Sequence, residues 1–323
     1  MKKWIILLII IALGVLMLTS CKSDAQLLET PPKESKPATK VPTEPPPPPP
    51  KDTVEPKPTP IPPTETPLPE PTLEPLPPEP QDITFEAEDG QILPGRYYPA
   101  SVNPAPMIVL MHWAPGDMEC WNEIAFWLQN RGLNGTSPNV GALPWLDPTW
   151  FPPMFEGQSF AVFTFTFRGC AGGCSSFDRD GWRMDALAAM KTARELEGVD
   201  PTRLASLGAS IGADGPPDAC GPLNAEFGGT CLGALSLSPG SYLNVPYASA
   251  VDVMEMLEPP RPVWCFYSLD DTTATETCKS ASGDHYQLFE WIDFGHGMRL
   301  LRPEVEPSAF QLILDWLALL YGL

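Results

Sequence analysis

The chain has 323 residues, and its 43 prolines are too many for a single globular fold; 22 of them lie within residues 31–80. From Ile83 onward the sequence has 12 Lys and Arg residues against 29 Asp and Glu residues, a net charge of −17. This part is long enough for one substantial core, and its acidity disfavours binding to phosphate backbones, so no nucleic-acid partner is expected.

The first 21 residues are organised like an export signal. A basic Met-Lys-Lys start precedes an apolar stretch over 4–18, which is short for a membrane-spanning helix. The Leu-Thr-Ser-Cys ending resembles a bacterial lipobox, which implies a lipoprotein signal peptide over 1–21 and attachment of lipid to Cys21. The alternative is an uncleaved anchor with an incidental cysteine. In both cases we expect an exported chain on the outer face of a bacterial membrane, at the cell surface or in the periplasm.

Residues 22–82 are rich in Pro, Thr, Glu and Lys and contain no aromatic side chain. Such a segment cannot bury enough apolar surface to offset its chain entropy, so it is predicted to be disordered. Proline-rich chains are extended and semi-rigid, which favours a tether between the membrane and the folded domain. A binding motif for a proline-reading partner is the less common alternative.

From residue 83 onward, predicted strands alternate with helices. Short apolar or alternating runs predict strands over 82–87, 91–98, 107–111, 160–167, 204–209, 232–237, 262–267 and 286–292. Apolar residues at helical spacing predict helices over 121–128, 182–196 and 310–320. This alternation predicts an α/β domain over 83–323, with a mostly parallel, doubly wound sheet of about eight strands and helices on both faces.

Residues 131–158 interrupt this alternation with Gly, Pro, Asn and aromatic side chains. A loop of this length inside a compact domain is usually functional or mobile. We therefore expect an insertion that acts as a lid or as one wall of a substrate pocket. The alternative is a surface loop without such a role, anchored to the domain by its tryptophan side chains.

A Gly-x-Ser-x-Gly pattern centred on Ser210 lies where the strand over 204–209 turns into the next helix. In that setting the pattern predicts a nucleophile elbow, a strained turn that presents the serine hydroxyl and leaves no room for side chains at the two glycines. Pro216 and Pro217 follow closely. Because proline disrupts a helix interior, the helix behind Ser210 is expected to be short or kinked.

Two further candidates follow later strands. Asp271, with Asp270 beside it, comes after the strand over 262–267, and His296 comes after the last strand. A serine hydroxyl needs a base to remove its proton, and an acid orients that base and stabilises its charged form. The chain has only three histidines, and His285 starts a strand among polar residues. His296 is therefore the expected base.

The order of these residues resembles the α/β-hydrolase superfamily, and in particular its dienelactone-hydrolase-like and serine esterase members. The resemblance covers residues 83–323 and rests on the elbow, the later acid, the Gly-His-Gly at His296 and the loop after the third strand. It implies the α/β-hydrolase fold with a catalytic Ser210, Asp271 and His296, since the family spacing favours Asp271. Asp270 remains the alternative acid.

The resemblance also implies an oxyanion hole made of two backbone N–H groups. The Ile211 amide, at the start of a helix, supplies one of them. The other comes from the loop after the third strand, where His112 takes the family's structural histidine position and Trp113 replaces its glycine. Register favours the Ala114 amide, with the Trp113 amide as the alternative.

Seven cysteines follow Cys21, and in an exported protein they are expected to form disulfides. Proximity in sequence suggests the pairs Cys170–Cys174, Cys220–Cys231 and Cys265–Cys278, with Cys120 left free. The third pair would staple the loop that carries Asp271. A zinc site is the rival interpretation of the first pair, but no second pair with ligand spacing accompanies it, so no metal is expected.

The sequence therefore predicts a surface-tethered serine hydrolase that cleaves a carboxylic ester, of a small molecule or a polymer, through an acyl-enzyme intermediate. No metal or cofactor is needed, and a monomer is expected. Amide or peptide cleavage by the same triad is the nearest alternative. A hydrolase-fold binding lipoprotein without turnover, using 131–158 as its ligand surface, is the second alternative, and an intact set of all three triad residue types speaks against it.

Overall fold

The computed structural model describes residues 73–134 and 147–323. The predicted signal peptide with Cys21, and the predicted tether up to residue 72, lie outside the described residues. Within the described ranges, no helix combines the length and the apolar character that crossing a bilayer requires.

In the described part of the chain, eight strands form one sheet. They are β1 (Gln81–Glu86), β2 (Ile92–Tyr98), β3 (Ala105–Met111), β4 (Ala161–Phe165), β5 (Val199–Ala209), β6 (Cys231–Leu237), β7 (Val263–Ser268) and β8 (Tyr286–Trp291). Their order across the sheet is β1-β2-β4-β3-β5-β6-β7-β8. β2 runs antiparallel to β1 and β4, and the other neighbouring strands are parallel. The mostly parallel sheet predicted from the sequence is confirmed.

Helices cover both faces of this sheet. They are α1 (Asn122–Gln129), α2 (Arg179–Glu195), α3 (Ile211–Phe227), α4 (Tyr247–Glu255), α5 (Thr272–Ser280) and α6 (Ala309–Tyr321). Successive residues of β3 serve two cores, since side chains alternate along a strand. Met107 and Val109 pack with residues of α2 to α5, whereas Ile108 and Leu110 pack with residues of α1 and α6. This double burial explains the continuous apolar run of β3.

Two of these helices were not predicted from the sequence. α4 has its buried residues at helical spacing, but it is only nine residues long. α5 is equally short and rich in Thr, and it owes its start to Asp271, whose side chain accepts a hydrogen bond from the Ala274 amide. Their apolar stripes are too short to stand out from sequence, and capping and packing on the sheet stabilise them.

The helix behind Ser210, which was expected to be short or kinked, is not short. α3 runs for 17 residues and contains Pro216, Pro217 and Pro222 in its interior. Pro217 has no N–H to offer the Ala213 carbonyl, but the Ser236 hydroxyl donates to that oxygen at 2.6 Å. A hydrogen bond from the neighbouring strand therefore replaces one that proline removes. Burial of nearly the whole helix against the sheet and neighbouring helices offsets its poor propensity.

The packed chain begins before the predicted domain start at Ile83. Carbonyl oxygens of Glu74, Leu76 and Pro78 accept hydrogen bonds from side chains of the domain at 2.9, 2.6 and 2.8 Å. The donors are Asn103, Arg131 and Gln129, respectively. The last residues of the predicted tether thus lie along the domain, because proline-rich backbone leaves its carbonyl groups available as acceptors.

The long loop predicted over 131–158 is described only in part, since residues 135–146 lie outside the described ranges. Its second half packs on the domain through Phe151, whose ring contacts Trp127 at 5.6 Å and Phe310 at 4.7 Å between centroids. The Trp127 indole also donates to the Pro152 carbonyl at 2.8 Å. The described half is therefore held against α1 and α6, and its role as a lid or pocket wall stays a prediction.

Three disulfides join the pairs that sequence proximity suggests. They are Cys170–Cys174, Cys220–Cys231 and Cys265–Cys278. Cys120 is a free, buried thiol. The third bridge connects β7 to α5 and so spans the turn that carries Asp271.

Candidate active site

The three predicted triad residues lie at the same edge of the sheet. Ser210 follows β5, Asp271 follows β7, and His296 follows β8 after a short connection. Because these strands are parallel neighbours in the order β5-β6-β7-β8, their carboxyl ends meet on one side. Loops at the carboxyl ends of parallel strands are where such folds build their sites.

The turn at Ser210 has the strained geometry expected of a nucleophile elbow. Ser210 has a φ of 55°, in the left-handed region that side chains other than glycine rarely adopt. A Cβ atom at Gly208 would lie 1.8 Å from the Gly212 carbonyl oxygen, and one at Gly212 would lie 2.4 Å from the Met111 carbonyl oxygen. Both glycines are therefore required for strand β5 to turn directly into α3.

The structure joins Ser210, His296 and Asp271 in one chain of hydrogen bonds. The Ser210 Oγ lies 2.7 Å from His296 Nε2, and His296 Nδ1 lies 2.5 Å from Asp271 Oδ2. A carboxylate only accepts, so Nδ1 carries the proton and Nε2 is free to accept from the serine hydroxyl. This tautomer is the one that a base acting on Ser210 requires.

Asp271 is held in its ionised form by its surroundings. Burial on its own raises its pKa, but the hydrogen bond and charge of His296 act in the opposite direction. The Ala274 amide, at the start of α5, donates a hydrogen bond to Asp271 at 3.2 Å, and the Ser238 hydroxyl lowers the pKa further. Together these contacts hold the pKa of Asp271 below its ordinary value.

Asp270, the alternative acid, points elsewhere. Its carboxylate accepts hydrogen bonds from the Ser268 hydroxyl and, at 3.2 Å, from the Gly295 amide. The Ser268 hydrogen bond, followed by weaker contacts, lowers the pKa of Asp270. The Ser268 hydroxyl also accepts from the Phe294 amide at 3.0 Å. Asp270 therefore fastens the loop that leads to His296, and Asp271 is the carboxylate in contact with the imidazole.

Ser238 is a site residue that the sequence reasoning missed. It is fully buried and directly follows β6. Its hydroxyl accepts from the Gly297 amide at 2.9 Å and helps to lower the pKa of Asp271. The signal available in the sequence was position alone, since a polar residue just after a parallel strand falls at the same edge as Asp271.

The loop after β3 is fixed by hydrogen bonds at two carbonyl groups. The Phe167 amide donates to Nε2 of the buried His112, so the His112 Nδ1 proton is directed to the Trp113 carbonyl at 2.7 Å. Burial lowers the pKa of His112 to about 4, which keeps the ring neutral. The Ala114 carbonyl accepts from the Cys174 amide at 2.8 Å.

This arrangement sets the direction of the Ala114 amide. In a trans peptide the N–H lies opposite the carbonyl group of the preceding residue. Since His112 engages the Trp113 carbonyl, the Ala114 N–H is directed away from His112. The indole of Trp113 lies beside the triad, because a Cβ atom at Gly297 would be 3.2 Å from that ring and 3.7 Å from the Ser210 Cβ.

His285, the third histidine, lies apart from the triad. Its ring is half-exposed and contacts Glu255 at 3.0 Å. Among the described residues, no group of three or more His, Cys, Asp or Glu side chains has the arrangement of a metal site.

The order of the sheet, the elbow after β5 and the acid and histidine after later strands together define the α/β-hydrolase fold. A solved structure agrees with this assignment: the α/β hydrolase GrgF from Penicillium sp. sh18 superposes with a TM-score of 0.52 at 14% identity, over 76% of this chain and 100% of that one. At this identity the similarity is one of fold.

Similarity in sequence to known proteins is more limited. No protein-family model matches the chain. The uncharacterized protein YfhR from Salmonella typhi is 25% identical over 144 residues, which are 43% of this chain and 40% of that protein. The uncharacterized protein MT2364 from Mycobacterium tuberculosis is 27% identical over 137 residues, with 42% and 39% covered. The chain thus spans about two fifths of the length of the curated relatives that it matches.

Proposed function

We propose that this protein is a serine hydrolase that cleaves carboxylic esters through an acyl-enzyme intermediate. The observation that carries the proposal is the unbroken hydrogen-bond chain from Ser210 through His296 to Asp271, with distances of 2.7 and 2.5 Å. The description of GrgF as an α/β hydrolase agrees with this class of activity. The fold hosts many functions, so the site and not the fold supports the reaction.

In the proposed reaction, the Ser210 oxygen attacks the ester carbonyl carbon while His296 Nε2 takes the hydroxyl proton. The tetrahedral intermediate collapses, and His296 returns the proton to the departing alcohol. Water then attacks the acyl-serine with the same histidine as base, which releases the acid and restores Ser210. Asp271 holds the ring and stabilises the imidazolium that forms in both steps.

The negative oxygen of the intermediate needs N–H donors aimed at it. The Ile211 amide is the first donor, because it lies at the N-terminus of α3, where N–H groups have no partner within the helix. The Ala114 amide is the second. The hydrogen bond from His112 to the Trp113 carbonyl supports Ala114 over Trp113, since it turns the Ala114 N–H away from His112.

We further propose that the enzyme is exported and held on the outer face of a bacterial membrane by lipid on Cys21. The proposal rests on the Leu-Thr-Ser-Cys sequence after a short apolar stretch. Three disulfides in the domain are in keeping with an oxidising compartment. The proline-rich segment after Cys21 would then act as the spacer between the membrane and the domain.

The test is labelling of the full chain with a fluorophosphonate probe, together with turnover of p-nitrophenyl acetate. Ser210→Ala should abolish both, whereas Ser101→Ala, which changes an exposed serine, should leave both unchanged. Comparison of a p-nitrophenyl ester with the matching p-nitroanilide then separates esterase from amidase activity. A folded wild-type chain that neither labels nor turns over substrate would refute the hydrolase assignment.

A further inference from the structure

Asp214 lies one turn after Ser210 on α3 and is almost completely buried, with 3% of its surface exposed. Its carboxylate accepts hydrogen bonds from three consecutive backbone amides. The distances are 2.9 Å from Ser241 and 2.8 Å from Tyr242, with a longer contact of 3.4 Å from Gly240. The carboxylate therefore binds this stretch of backbone firmly to α3.

These amides belong to the loop that follows β6 and begins at Ser238. The backbone amides of a loop have no partners in a sheet or helix, so an acceptor must come from elsewhere. Asp214 supplies it. Burial raises the pKa of Asp214 to about 7, while the three amides favour the ionised form. The titratable groups that face it are Asp218, Tyr242 and Tyr247.

The same loop contacts the triad at two points. The Ser238 hydroxyl accepts a hydrogen bond at 2.9 Å from the amide of Gly297, the residue after His296. The Tyr242 ring meets the His296 ring nearly at a right angle, with 6.5 Å between centroids. A shift of this loop would therefore displace His296 from Ser210.

We propose that Asp214 is a positioning residue of the reaction, which fastens the loop after β6 to the helix that starts at Ser210. Ser210 and the Asp271–His296 pair follow different strands, so their distance depends on links between those loops. Asp214 provides one link at the nucleophile's side, and Ser238 continues it to the histidine loop. The proposal rests on the serine hydrolase function proposed above. A displacement of about 1 Å in such a site costs on the order of 100-fold in rate.

The test compares Asp214→Asn with Asp218→Asn in the full chain. Asp218 lies one turn further along α3, and its carboxylate pairs with Arg183 at 2.8 Å, not with the loop. Asparagine at 214 keeps the shape but loses the charge and brings an NH₂ group toward the amide donors. Asp214→Asn is expected to lower kcat for p-nitrophenyl acetate roughly 10- to 100-fold, with KM changed less than about threefold.

A spectroscopic readout separates positioning from a general loss of stability. The proton between His296 and Asp271 should give a downfield resonance in the wild-type spectrum, and Asp214→Asn should shift or broaden it. Asp218→Asn should leave this resonance and kcat unchanged. If Asp214→Asn fails to fold, Ser238→Ala interrupts the same link at its other end and should produce the same loss in kcat and the same spectral change.

The inference is wrong if folded Asp214→Asn retains the wild-type kcat and resonance, or if Ser238→Ala does so where Asp214→Asn does not fold. Failure of the proposed function has a different signature. In that case the wild-type chain itself would show neither fluorophosphonate labelling nor turnover.

Discussion

Replacement of Asp271 by asparagine removes the charge that faces His296 while keeping the size of the side chain. The Nδ1–Oδ2 distance of 2.5 Å puts the two charge centres roughly 4 Å apart when the imidazole is protonated, and the Asp271 side chain is only 10% exposed. At an effective dielectric constant of about 20, two such charges attract by about 4 kcal/mol. Since 1.36 kcal/mol is tenfold in rate, Asp271→Asn should lower kcat by on the order of 1,000-fold.

The assay is steady-state hydrolysis of p-nitrophenyl acetate, with Asp270→Asn as the matched variant. Asp270 contacts Ser268 and Gly295 but not the imidazole, so its replacement should lower kcat less than about tenfold through movement of the histidine loop. If Asp271→Asn had little effect and Asp270→Asn lowered kcat by on the order of 1,000-fold, Asp270 and not Asp271 would be the acid that orients His296.

Three further predictions concern stability and location. Burial raises the pKa of Asp214 from 3.8 to about 7. The contribution of this group to the free energy of unfolding is therefore full below about pH 4 and is lost as the pH rises through 7, by up to about 4 kcal/mol. Asp214→Asn should flatten this fall when the free energy of unfolding is measured by urea titration at several pH values, and an unchanged pH profile would contradict the prediction. Replacement of both Cys265 and Cys278 by alanine should lower the free energy of unfolding by about 2–4 kcal/mol in the same assay, because it removes the bridge between β7 and α5; no loss would contradict a stabilising bridge. Cys21→Ala should abolish incorporation of labelled palmitate into the protein, and labelling equal to that of the wild type would count against lipidation of Cys21.

The sheet could be predicted from the sequence because its strands have a strong local signal. Met107 to Met111 is apolar at every position, since both faces of β3 are covered. The length of the helix that starts at Ile211 could not be predicted from the sequence in the same way. Its prolines oppose a helix locally, and the compensating hydrogen bond comes from Ser236, which is distant in sequence. Tertiary contacts of this kind have no local signature.

Some residues of the candidate site also have a local sequence signal, whereas others depend on contacts between distant parts of the chain. Ser210 stands in a local motif, and His296 has few competitors, so both could be proposed from the sequence. The choice between Asp270 and Asp271 depends on which of two adjacent side chains faces the imidazole, a matter of a single backbone turn. Asp214 and Ser238 act through contacts between separate loops. Nothing in their immediate sequence distinguishes them from ordinary polar residues.

The proposed reaction requires His296 to activate Ser210 for nucleophilic attack. The most direct measurement is peptide mapping by mass spectrometry after fluorophosphonate treatment of the full chain, with wild type compared with His296→Ala. We expect a phosphonate adduct on Ser210 in the wild-type chain, and an adduct that forms at least about 100-fold more slowly in the variant, as expected for loss of the general base. An adduct on a different serine, or equal rates in the two chains, would contradict this expectation.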